Sequence, residues 1–116
     1  MVLDEPLSFW GGVDPLTGRV IDRRHPSVGA ELAGKVLVMP SGRGSSSSSS
    51  ILAECIRAGT APAAIVLHEP DPILVVGAAV ALELYGRTIP IVVAPTGAAE
   101  DGQVVEVDGE RIRVVT

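Results

Sequence analysis

Gly42-Arg43-Gly44 runs straight into six consecutive serines, Ser45 to Ser50, and this is where the sequence concentrates groups able to do chemistry. An arginine offers a permanent positive charge on a fork of donors. Glycines allow close backbone approach to a ligand, and serine hydroxyls donate, accept or exchange a proton. At the start of a helix, free amides and the positive end of the helix dipole would favour an anion at the same place. The run can also be read as a flexible linker, but a linker would cut the chain into pieces of about 44 and 66 residues, each marginal as an independent fold. A purely structural reading, with one N-cap and several solvated serines, also stands.

Other candidates are weaker. His25 precedes a proline and His68 stands beside Glu69; they read as a loop and a strand-end histidine rather than catalytic bases. Cys55 is the lone cysteine and reads as a small buried apolar residue on a helix; one thiol forms no internal disulfide and does not by itself hold an iron–sulfur or zinc site. The chain lacks the lysine of a P-loop, the third glycine of a dinucleotide fingerprint and the nucleophile elbow of serine hydrolases. No helical pair of carboxylates suggests glycosidase chemistry.

The elements that must position the Gly-Arg-Gly-Ser segment follow from apolar runs and their punctuation. Leu7 to Trp10 reads as a short strand entering Gly11-Gly12, Asp14 to Gly18 as a turn, and Arg19 to Asp22 as a second strand. Lys35 to Met39, Ala63 to Leu67 and Ile89 to Val93 are continuous apolar runs suited to strands buried on both faces. A helix is expected from the serine run to Gly59, with one of the later serines as N-cap, and another from an Asp71 N-cap through Pro72 to Gly86. Val104 to Val107 and Glu110 to Val114 flank Asp108-Gly109 as a hairpin. The order β-β-β-α-β-α-β-β-β predicts an α/β domain with a mixed sheet or open barrel and flanking helices.

Composition bounds the function. At 116 residues the chain fits one domain, spanning 1–116, around one core. Hydrophobic residues make up 47% and aromatics only 3%, so the core is aliphatic. A pI near 4.9 and three aromatics argue against nucleic acid, whose backbone needs positive charge and whose bases need stacking partners. The apolar runs are too short to span a membrane, and the N-terminus lacks a basic leader, which points to the cytoplasm. Residues 1–58 carry six basic and six acidic side chains, residues 59–116 three and eight, so an anion site belongs in the first half.

Four segments, taken together, resemble the small swivel-domain subunit of the aconitase X family. They are Leu7-Ser8-Phe9-Trp10-Gly11-Gly12-Val13-Asp14-Pro15 with Thr17-Gly18, Val36 to Pro40 with Gly42-Arg43-Gly44-Ser45-Ser46, Ala61 to Leu67, and Glu83-Leu84-Tyr85-Gly86 with Ile89-Pro90. The resemblance implies a swivelling β/β/α-type domain that closes over a large catalytic subunit carrying the iron–sulfur cluster, and a dehydratase active only as the assembled pair. It implies a serine base, Ser45 by its position after Gly-Arg-Gly, with Ser46 or Ser47 as other possible matches. Arg43 would bind a substrate carboxylate or steady the alkoxide, and Gly44, Ser46 and Ser47 would line the substrate site. Small anionic substrates are implied: cis-3-hydroxy-L-proline first, mevalonate 5-phosphate as the alternative. A swivel module that only docks on a partner is the reading from another class. Phe9 and Trp10 are candidates for the partner-contact face, with core packing the competing role.

Overall fold

The three continuous apolar runs form the centre of the molecule. The structure is a computed structural model describing residues 1–43, 46–95, 97, 99–108 and 111–115. Along the chain it forms β1 (Val13–Asp14), β2 (Arg19–Val20), β3 (Val36–Met39), α1 (Ser47–Ala58), β4 (Ala64–Leu67), α2 (Pro72–Tyr85), β5 (Ile91–Val93), β6 (Val105–Asp108) and β7 (Arg111–Val114). This is a mixed α/β domain, as expected, although its first strand is Val13–Asp14 and not the Leu7 to Trp10 stretch. Parallel and antiparallel pairings are both present, distributed over three small sheets: β3-β4-β5, β1-β2 and β6-β7.

The parallel sheet keeps its strands in chain order, with Leu37 opposite Ile65 and Ile65 opposite Ile91. Crossovers between parallel neighbours are right-handed. With strands in chain order, both crossovers fall on the same face, and α1 and α2 pack against one another there. Side-chain alternation then divides the interior. Leu37, Met39, Ile65 and Leu67 join Leu52, Ile56, Leu74 and Ala81 of the helices, together with Leu7, Phe9 and Val20 of the N-terminal segment. Val38, Val66 and Val92 form a second cluster with Val107 and Ile112 of the β6–β7 hairpin.

Three local expectations are corrected. The Leu7 to Trp10 stretch is not an extended strand: Leu7 makes one parallel bridge to Gly42, and the chain then turns so tightly that a Cβ on Gly12 would sit 2.1 Å from the Ser8 carbonyl oxygen. The hairpin turns one residue later than expected, because Asp108 pairs with Arg111, leaving Gly109 and Glu110 between the strands and outside the described residues. This register sets Val107 opposite Ile112 and Val105 opposite Val114; a one-residue slip would set apolar side chains against polar ones. Finally, α1 begins at Ser47 with Ser46 at the N-cap position, so serines form its first turn instead of preceding it.

Candidate functional site

With both helices on one face and antiparallel to the strands, the amino ends of α1 and α2 meet at the carboxyl ends of β3 and β4, where ligands bind in open α/β sheets. Two contacts fix this meeting. The Ser49 hydroxyl donates to the Ile73 carbonyl at 2.6 Å. Gly77 lets the helix backbones close together: a Cβ there would lie 2.8 Å from the Ser49 carbonyl oxygen.

The loop from β3 to α1 is anchored at its start. The backbone amides of His68 and Glu69 both donate to the Pro40 carbonyl at 3.1 Å. Gly42 then bridges to Leu7 and lies against Asp71, the N-cap of α2, whose Oδ1 accepts from the Ile73 amide at 2.9 Å. Arg43 follows, exposed, with no hydrogen bond or ion pair to any described residue. It borders two cavities. One, of about 310 Å³, is lined by Ser41, Gly42, Ser48, Glu69, Asp71 and Ile73 among others. The other, of about 410 Å³, is lined by Trp10, Asp22, Arg24 and His25 among others.

The serine run divides into groups with different tasks. Ser46 is exposed and its side chain makes no cap hydrogen bond. Ser47, half-buried, opens the helix. Ser48 is buried, and its hydroxyl accepts from the Trp10 amide at 3.2 Å and lies 3.4 Å from the Ser8 hydroxyl. Ser48 and Ser49 therefore hold the fold together, whereas Arg43 and Ser46 are exposed at the mouth of the loop. Gly44 and Ser45, the expected close-approach glycine and base, lie outside the described residues. Neither helix carries an acidic side chain in its first turn, but the Asp71 carboxylate already caps α2, so the amino end of α1 is the dipole end left for an incoming anion.

Asp71 and Ser48 gain roles that the sequence did not announce. Asp71 is recognisable as a cap, but its packing on Gly42 is a tertiary contact across 29 positions and leaves no sequence signal. Of the two aromatic candidates for partner contact, Phe9 is fully buried in the core while Trp10 is 57% exposed.

The histidines are occupied structurally. His25 Nδ1 accepts from the Ser27 amide at 3.0 Å, and Nε2 lies 3.4 Å from the Glu5 carbonyl. A carbonyl only accepts, so His68 Nδ1, 3.0 Å from the Ala94 carbonyl, carries the proton and links the ends of β4 and β5. Cys55 is buried in α1, and burial pushes its thiol up to about 11. Among the described residues no group of three or more His, Cys, Asp or Glu is arranged to hold a metal ion, and a protonated core thiol does not fit as a cluster ligand. No described helix is long and apolar enough to cross a membrane.

Known proteins share both this sequence and this geometry. A cis-3-hydroxy-L-proline dehydratase of Pseudomonas aeruginosa is 60% identical over 85 residues, covering 73% of this chain, which spans only 15% of that protein's length. A phosphomevalonate dehydratase small subunit of Methanothermobacter thermautotrophicus is 43% identical over 118 residues, covering 98% of this chain and 86% of that one. The crystal structure of Thermococcus kodakaraensis aconitase X in its holo-form superposes with a TM-score of 0.84 at 30% identity, over all of this chain and 86% of that one. The aconitase X swivel domain family matches residues 1–116, and the chain belongs to that family.

Proposed function

We propose that this chain is the small subunit of a two-part, cytoplasmic aconitase-like dehydratase and supplies the base that removes a proton from an anionic substrate, most directly cis-3-hydroxy-L-proline. The observation that carries the reading is the amino end of α1, uncapped by any side chain, beside Arg43, which pairs with none of the described residues, at the carboxyl edge of the sheet. An ordinary serine hydroxyl is a very weak base, and its alkoxide becomes accessible only where positive charge and preorganised donors stabilise it. The amino end of α1 and a guanidinium supply that stabilisation.

In this reading Arg43 pairs with the substrate carboxylate, and Ser45 takes the proton from the adjacent carbon. The electrons left behind form the carbon–carbon double bond as the β-hydroxyl departs, so one substrate gives one unsaturated acid and one water. Gly44 lets the backbone come close, and Ser46 and Ser47 border the bound molecule. The family implies an iron–sulfur cluster. None of this chain's described residues fits as its ligand, so we assign the cluster to a large aconitase X-type subunit.

A second substrate has a specific observation in its favour. The phosphomevalonate dehydratase small subunit matches this chain from end to end at similar length, whereas the hydroxyproline dehydratase is more similar in sequence but far longer. The test is a dehydration assay of the co-purified subunit pair on both compounds. Turnover of cis-3-hydroxy-L-proline supports the first reading, turnover of mevalonate 5-phosphate alone transfers the assignment, and a stable pair active on neither favours a docking module without chemistry.

A further inference from the structure

The two helices lie on the same sheet face, yet their outward surfaces differ in kind. α1 exposes Ser50 and Arg57, the latter ion-paired with the half-buried Glu54, as a solvated helix does. In α2, a turn of about 100° per residue gathers Leu74, Gly77, Ala78 and Ala81 on the buried side. It places Val75, Val76, Ala79, Val80 and Leu82 on the opposite arc, with Glu83 the only ionisable group among them. Val75 and Val76 are each 51% exposed and Leu82 55%. A helix that is apolar all round belongs in a buried setting, and a contiguous exposed apolar surface marks an interaction site.

The position of this arc says what covers it. It starts one turn after Asp71 and Ile73, which line the smaller cavity beside Arg43, so it continues the rim of the candidate site. Trp10 lines the second cavity bordered by Arg43, and its backbone is fixed by Ser48 and Ser8. An exposed indole carried on a hydrogen-bonded backbone is a typical interface anchor. The site between these apolar rims has to face whatever polypeptide carries the cluster. In the hydroxyproline dehydratase relative, the region matched here is a small part of a much longer chain, so such a domain has a large polypeptide beside it.

We infer that the outward face of α2, with Trp10 on the other side of Arg43, is the docking surface for the aconitase X-type large subunit. This rests on the proposed function, which supplies the partner. The test is titration calorimetry of the full chain against the large subunit from the same source, comparing wild type with Val76→Glu, Val80→Glu and Trp10→Ala. Glutamate is at least as good a helix former as valine, so circular dichroism and melting should match wild type, while burying an unpaired charge weakens association by about tenfold or more. Ala79→Arg on the same arc provides a second probe if either valine variant misfolds.

Unchanged affinity in the folded variants overturns the docking surface and leaves the proposed function intact. A wild-type chain that does not bind the large subunit overturns the proposed function first. An isolated wild-type dimer that Val76→Glu converts to monomer, with large-subunit affinity unchanged, gives the face to a second copy and overturns the inference.

Discussion

Gly42 and Asp71 occupy space that only a glycine and its neighbour can share: a Cβ on residue 42 would lie 1.9 Å from Asp71 Oδ2. The first residue of the Gly-Arg-Gly segment is thus seated on the cap of the second helix, and the position of Arg43 depends on a residue far away in sequence.

Gly42→Ala should therefore move the loop. The overlap costs about 1–3 kcal/mol, as overpacking does, and turnover of the assembled enzyme should fall far more than stability. Combining it with Asp71→Gly, itself a mild loss of capping, restores room and should recover part of the activity. Chemical denaturation and steady-state kinetics on the four members of this cycle check the coupling.

The serines should separate by phenotype. Ser48→Ala leaves the partly buried Trp10 amide without its acceptor and should destabilise by about 1 kcal/mol, while retaining turnover in whatever fraction remains folded. Ser45→Ala should leave stability and assembly unchanged and abolish turnover. Urea titration alongside the dehydration assay distinguishes them, and near-normal activity in Ser45→Ala removes that residue as the base.

Gly77→Val should drive the helices apart. A Cβ already meets the Ser49 carbonyl at 2.8 Å and Leu52 at 3.2 Å, and β-branching adds to the clash, so a loss of at least about 1–3 kcal/mol is expected. The melting temperature of the isolated chain is the measurement.

Cys55 should be unreactive while the chain is folded. Its thiol is raised from 9.0 to about 11, chiefly by burial. At pH 8 alkylation followed by mass spectrometry should show slow labelling until denaturant is added. Between pH 9 and 11 the unfolded thiol ionises first, so the unfolded state binds fewer protons and stability declines as pH rises. Cys55→Ala should remove that component of the alkaline decline.

What could be read from the sequence was local. Asp71, Pro72 and Gly86 mark both ends of α2 because capping chemistry is written in adjacent residues, and the apolar runs of β3, β4 and β5 show that both faces are covered. Six identical serines carry no information about which is buried. Ser48 is buried where it accepts from an amide 38 positions away, and Ser49, half-buried, is turned to a carbonyl of the other helix. The hairpin register likewise follows from what Val107 and Ile112 cover, not from the Asp108-Gly109 pair. Phe9 and Trp10 are neighbours with opposite fates, one in the core and one on the surface, because the chain turns at this point once Leu7 has met Gly42.

The twin amide bonds to the Pro40 carbonyl govern how the protein can move. With Pro40 tied to the end of β4 and Gly42 tied to Leu7, the stretch that leads to Arg43 moves with the sheet and not on its own. In the proposed assembly, that anchoring makes the whole domain, and not the stretch before Arg43, the body that closes on a molecule held by the large subunit.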